Sequence, residues 1–204
     1  MTVGLPLIQE HPVTSSFVPL LPPPLPACRL VLPSAAWNDG FIDTLRELQA
    51  EGMYQDTDIR LIRDHFDEWL GEWERARHES TVAPGMVPVT SYWLVAEDGA
   101  DARVVGRASV RHRLNEALLL WGGHIGYAIR PSERRKGYGT AALRLALDEA
   151  RQMGLQNVLV TCDSDNVGSR RIIEQNGGVL ENEVTVPQLS KPKLRFWIAL
   201  DRMD

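Results

Sequence analysis

The residue types and spacings best suited to chemistry fall between Ile129 and Thr140. There Arg134, Arg135 and Lys136 run consecutively into Gly137-Tyr138-Gly139-Thr140 at the start of a helical pattern. Glycine lets a backbone approach a ligand closely, and the N–H groups of a helix's first turn have no partner within the helix. The positive end of the helix dipole lies at the same place, so the stretch reads as a cradle for a phosphate or pyrophosphate. Gly137-x-Gly139-x-x-Ala142, with Asp163 further on, also fits the dinucleotide fingerprint. Two features weaken that fit. Pro131 to Lys136 separate the preceding strand from the first glycine, and the rest of the chain lacks repeated β–α alternation. A nucleotide-hydrolase phosphate loop is excluded, because no lysine precedes Thr140.

The elements around this loop can be read from periodicity. Arg29 to Leu32 forms a short strand. Ser34 caps a helix carrying Trp37, Phe41, Leu45 and Leu48, and a second helix runs from about Thr57 to His78 with Ile59, Ile62, Phe66, Trp69, Leu70 and Trp73 on one stripe. Ser91–Ala96 and Val104–Val110 are strands joined through Glu97-Asp98-Gly99, and Leu118–Trp121 continues the sheet. His124–Ile129 is the strand that feeds the loop. Leu143, Ala146, Leu147, Ala150 and Met153 mark the buried side of the helix after it, which Gly154 ends. Val158–Thr161 is an apolar run that fits a parallel strand covered on both faces. A short helix over Ser169–Asn176 and strands over Val179–Val186 and Leu194–Leu200 complete a mixed α+β order.

Composition bounds the partners. The chain has 204 residues, 44% hydrophobic and 24% charged, with a formal net charge of −5. That suits a single domain over 28–204, preceded by a proline-rich lead over 1–27. An acidic balance argues against nucleic acid as a partner. Cys28 and Cys162 are too few and too far apart for a metal framework and read as reduced thiols. Pro19, Pro22, Pro23, Pro24 and Pro26 break the only apolar run near the N-terminus, and no basic region precedes it. The expectation is a cytoplasmic protein with no membrane partner.

Arg134-x-x-Gly137-x-Gly139 resembles the (Gln/Arg)-x-x-Gly-x-(Gly/Ala) motif of the GNAT N-acyltransferase superfamily. Asn166-x-x-Ser169, followed by Glu174 and Gly177, resembles that superfamily's Asn-x-x-(Ala/Ser) element and the short helix after its fifth strand. Gly122 to Tyr127 with Ile129 to Arg134 is similar to a group of bacterial predicted acetyltransferases. The resemblance covers about residues 28–200. It implies a mixed, mostly antiparallel twisted sheet flanked by helices, with strands 4 and 5 parallel and splayed. It also implies acetyl-CoA as acyl donor without a metal, a small-molecule or peptide amine as acceptor, and a homodimer as a common form.

The resemblance also assigns roles. Main-chain groups from Gly137 through Tyr138 and Gly139 to Thr140, with Arg134, Arg135 and Lys136, hold the pyrophosphate. Ile129, Arg130 and Asn166, with Ser169, bind the pantetheine arm. A main-chain N–H near Ile129 polarises the thioester carbonyl. His124 is the first candidate for general base, with His112, Asp163 and ordered water as alternatives. Many relatives place a proton-donating tyrosine where this chain has Ile173, so Tyr127, Ser169 or water must assist the leaving thiolate. That departure leaves a catalytically weak acyl-CoA-binding module as the rival to an N-acetyltransferase, with a dinucleotide-binding domain third. Twelve acidic side chains against five arginines between Asp39 and Glu79 suggest an acidic rim and a cationic amine.

Overall fold

A computed structural model describes residues 24–97 and 101–200. Most of the proline-rich lead and part of the Glu97-Asp98-Gly99 turn lie outside these residues.

Strands β1 (Cys28–Val31), β2 (Val89–Ala96), β3 (Arg103–Arg111) and β4 (Ile125–Ile129) form an antiparallel sheet in the order β1-β2-β3-β4. A second sheet joins β5 (Asn157–Asp163), β6 (Val179–Val184) and β7 (Lys193–Ala199) in the order β5-β7-β6, again antiparallel. β4 and β5, the strands expected to be splayed, belong to different sheets with no ladder between them among the described residues.

Helix α4 (Tyr138–Gln152) bridges the sheets because its apolar side chains recur at helical spacing. Leu143, Ala146 and Leu147 pack in one buried cluster with Ala108, Val110 and Ile125 of the first sheet and Val158, Val160 and Phe196 of the second. Helix α5 (Val167–Gln175) adds Ile173 to the same cluster. The opposite face of the first sheet is covered by α1 (Asn38–Ala50), α2 (Ile59–Asp64) and α3 (Phe66–Arg75). Phe41 stacks on Trp93 at 4.6 Å between centroids, and Trp73 meets Trp93 edge-on at 5.8 Å. These aromatics seal the layer.

Three local expectations change. The long second helix is two helices, because His65 leaves helical geometry at φ −123°, ψ 37°. Ser34 makes no side-chain cap; a 3-10 turn over Ala35–Trp37 precedes α1 instead. Leu118–Gly122 is a π-helical turn and not a strand. Asn115 anchors it by accepting from Leu118 N–H, and Leu119, Leu120 and Trp121 stay partly exposed.

Candidate coenzyme and acyl-transfer site

The loop between β4 and α4 is built by backbone conformation. Gly137 caps α4 at φ 88°, in the left-handed region, with no side-chain cap. A Cβ there would lie 3.0 Å from Pro26 Cδ, so the position suits glycine on both counts. The first turn of α4 therefore starts without a side-chain cap at the positive end of the helix dipole. Gly139 serves packing: a Cβ would meet Ile172 Cδ1 at 2.6 Å, where α5 crosses α4. Asn176 donates from its side-chain amide to Thr140 O at 3.3 Å and Thr140 Oγ1 donates to Gln175 at 3.1 Å, fixing the two helices together.

The basic run is not three equivalent charges. Arg134 is held by Glu51 at 2.6 Å and donates from Nε to Ile129 O at 3.2 Å. Lys136 is paired with Glu133 at 2.8 Å, and Glu133 is also held by Arg103 at 3.1 Å. Arg135, at φ 64°, has no carboxylate partner among the described residues. Arg134 and Lys136 thus brace the loop, and Arg135 brings the uncompensated charge. Tyr138 is a core residue, 1% exposed, with its hydroxyl 3.3 Å from an Arg103 nitrogen, so its side chain faces away from a ligand.

Glu47 on α1 and Glu51 at its C-cap, four residues apart, are contacts that sequence reading missed. Glu47 accepts from Arg130 Nε at 2.5 Å and from Ser132 N and Oγ at 2.9 and 3.0 Å. Burial pushes the Glu47 carboxyl up, but the bonds from Ser132 and Arg130 outweigh it and hold it below the usual range. The signal was the shared spacing of four: Glu47 and Glu51 meet Arg130 and Arg134.

β4 and β5 touch at one clasp. His124 N–H donates to Leu159 O at 2.7 Å, and Leu159 N–H donates back to His124 Nδ1 at 2.9 Å. Gly123, at φ 68°, allows this approach, since a Cβ would lie 2.6 Å from Leu159 O. Beyond the clasp no main-chain hydrogen bond joins the two strands among the described residues. Further along β4, the Tyr127 hydroxyl lies 2.9 Å from Ser169 Oγ and spans the gap to α5. Burial pushes the Tyr127 phenol up to about 12.

The clasp bears on His124 as a base. With Nδ1 accepting from Leu159, the ring proton sits on Nε2, and no lone pair is left to accept another. Burial and the charge of Arg111 hold its pKa down at about 4, so the ring is neutral at pH 7. The alternatives are also engaged: His112 Nε2 lies 2.8 Å from Thr90 Oγ1, and Asp163 is paired with Lys193. Asn166 caps α5, accepting from Ser169 N–H at 2.9 Å. Its side-chain NH2 has no partner among the described residues. Ile173 is fully buried, and a Cβ on Gly178 would meet its Cγ2 at 2.4 Å, so Gly178 packs directly against it.

Residues 32–179 match the family model described as an Acetyltransferase (GNAT) domain. The chain belongs to the GNAT acetyltransferase family. Solved GNAT structures share its fold at low identity. RimL, a ribosomal L7/L12 alpha-N-protein acetyltransferase in complex with coenzyme A, is 13% identical with TM-score 0.62, covering 86% of this chain and 95% of its own. YncA of Salmonella typhimurium, a putative acetyltransferase with acetyl-CoA, is 19% identical with TM-score 0.57, covering 87% and 96%. A putative ribosomal-protein-serine acetyltransferase from Vibrio cholerae is 16% identical with TM-score 0.60, covering 85% and 94%. No curated protein matches the chain by sequence. The antiparallel sheets remove the frame that the dinucleotide fingerprint requires. Among the described residues no group of three or more His, Cys, Asp or Glu side chains converges on a metal position, and no helix is long and apolar enough to cross a membrane.

Half of the twelve acidic side chains over 39–79 are compensated. Asp43, Asp64, Glu74 and Glu79 pair with Arg46, Arg63, Arg77 and Arg113, and Glu47 and Glu51 serve the loop. Asp39, Asp56, Asp67 and Glu72 have no ion-pair partner among the described residues and remain to form an acidic rim.

Proposed function

We propose that this GNAT member is an acetyl-CoA-dependent N-acetyltransferase, cytoplasmic and folded as one domain over 28–204, that acetylates a primary amine of a small-molecule or peptide acceptor directly. The observation that carries the reading is the pairing of an uncapped α4 N-terminus at Gly137 with a gap between β4 and β5 that Tyr127 and Ser169 span. Acetyl-CoA, when bound, supplies the acetyl group already activated as a thioester.

The residues present fit that donor. Main-chain N–H groups of the loop and the Arg135 guanidinium suit a pyrophosphate. Past the His124 clasp, β4 has no partner strand on its β5 side, so Ile129 can offer its main-chain N–H to a group lying in the gap, with the Asn166 NH2 on the far side, whereas the Arg130 N–H and C=O are taken by Val105 and Glu133. A main-chain N–H of β4 near Ile129 polarises the acyl carbonyl. Tyr127 and Ser169 provide the hydroxyls that Ile173 does not. In the Tyr127–Ser169 bond either hydroxyl can donate, so one of the two protons is left over to hydrogen-bond a departing thiolate. His124 acts as the clasp that sets the width of the gap. Proton removal from the amine falls to water, beside Asp163 and His112.

The test is calorimetric titration with acetyl-CoA and with NAD, followed by a thiol-release assay with amines. Binding of acetyl-CoA but not NAD, with amine-dependent thiol release, supports the reading. Tight acetyl-CoA binding without amine-dependent release favours a binding module, and absence of acetyl-CoA binding overturns both.

A further inference from the structure

The face of the sheet opposite α4 carries two arginines that the chain does not neutralise. Ala108 and Val110 of β3 point into the cluster under α4, so strand alternation turns Arg107, Ser109 and Arg111 to the other face. On β4, Ile125 and Tyr127 belong to the α4 side, which leaves Gly126 and Ala128 opposite Ser109 and Arg107 in register. A Cβ on Gly126 would lie 3.4 Å from Ser109 Oγ, in agreement with that sidedness. The aromatics of α1 and α3 cover Trp93, Val95 and Val104. The floor formed by Arg107, Ser109, Arg111 and Gly126 stays partly exposed beside them.

Neither guanidinium is within salt-bridge distance of a carboxylate among the described residues. Arg107 lies over the Tyr54 ring, 5.2 Å from its centroid. Arg111 donates to main-chain carbonyls, Gly123 O at 3.0 Å and Gly122 O at 3.4 Å. Burial, and after it the charge of Arg107, holds the Arg111 pKa below its ordinary value, as expected for neighbouring cations with no anion between them. This contrasts with the loop and the helices, where most arginines found carboxylates.

We infer that the amine acceptor carries an anionic group of its own, a carboxylate or a phosphate, bound by Arg107 and Arg111 on the open face of β3. The inference rests on the acetyltransferase reading above. The packed core under α4 closes one face of β4 to an incoming amine, so the acceptor must approach from the face that bears the two arginines. Both side chains reach an oxyanion with several donors, and Ser109 between them adds a hydroxyl. An anchored anion would hold the amine at a fixed distance from the β4–β5 gap. A purely cationic amine such as a polyamine would be repelled there.

The test begins with calorimetry on the full chain with acetyl-CoA. Failure to bind refutes the acetyltransferase reading and the acceptor inference with it, whereas an altered acceptor preference touches the inference alone. With binding established, thiol release is measured over matched amines: glutamate against glutamine, amino acids against their carboxamides, phosphoethanolamine against ethanolamine, and dipeptides with free against amidated C-termini. The carboxylate and phosphate pairs distinguish the two anion sources. The expected result is that the anion-bearing member of at least one series is preferred by about tenfold or more in kcat/KM. Arg107→Gln should collapse that preference mainly through KM, and Arg107→Lys should restore part of it. Arg111→Gln is the second variant, read with a thermal melt because Arg111 also holds the 122–123 turn. The inference is overturned if no anion-bearing amine is acetylated by a protein that binds acetyl-CoA. It is equally overturned if neutral or cationic partners are used as well or better, or if the preference survives in Arg107→Gln and in folded Arg111→Gln.

Discussion

The Tyr127 hydroxyl lies 2.9 Å from Ser169 Oγ, linking β4 to the first turn of α5 across the gap where the two sheets part. Two residues far apart in the chain thus supply hydroxyls close to the site where Ile173 has none to give. A buried phenol with its pKa pushed up to about 12 keeps its proton at pH 7 and can donate to Ser169.

Tyr127→Phe and Ser169→Ala should each lower kcat by about a hundredfold, the usual size of proton-transfer assistance, with little change in the KM for acetyl-CoA. Steady-state thiol release checks this. Because the pair works as a unit, the double variant should lose little more than either single one. Additive losses would mean that the two hydroxyls act separately.

Neutral His124 gives stability a sign in pH. Its folded pKa, about 4, lies below the ordinary value of 6.5, so the unfolded chain takes up the proton first as pH falls. The contribution is full above about pH 6.5 and declines by up to about 1.4 kcal/mol per pH unit until the folded pKa is reached. Denaturant unfolding at several pH values should show a steeper acid loss in the natural chain than in His124→Asn, whose amide oxygen can still accept from Leu159. Parallel curves would contradict the clasp.

Arg135→Gln should weaken acetyl-CoA binding by about tenfold, or ~1.4 kcal/mol. Lys136→Gln should weaken it less, since Glu133 already claims that charge. Arg134→Gln should lower the melting temperature more than the other two, because Arg134 ties Glu51 to Ile129 O. Calorimetry and thermal melts of the three variants separate these roles.

Ile173→Tyr places a phenol where the resemblance to the superfamily leads one to expect a tyrosine. In this chain it should destabilise by about 1–3 kcal/mol through overpacking against Gly178, without raising kcat. A more active, equally stable variant would show that the buried seat of Ile173 is not what excludes the tyrosine.

Much of the frame can be read along the chain because it is local. The spacing of Leu143, Ala146, Leu147 and Ala150 gives α4, and the glycines give its cradle. The apolar run Leu118–Trp121 is ambiguous, since four large apolar residues suit a strand or a turn of helix equally. Nothing local marks the break at His65 within an otherwise continuous stripe from Ile59 to Trp73. The state of His124 is illegible in sequence because it depends on which ring nitrogen meets Leu159, a residue on another strand. Arg134 and Lys136 read as ligand charges for the same reason: Glu51 reaches Arg134 only through the tertiary fold, and Glu133 is oriented by Arg103.

The central claim is acetyl transfer to an amine, and mass spectrometry of the acceptor after incubation with acetyl-CoA tests it most directly. Direct transfer predicts a product heavier by one acetyl group on nitrogen, formed in step with thiol release and slowed by Tyr127→Phe. Thiol release equal with and without amines, and no acetylated product from any acceptor, would contradict it.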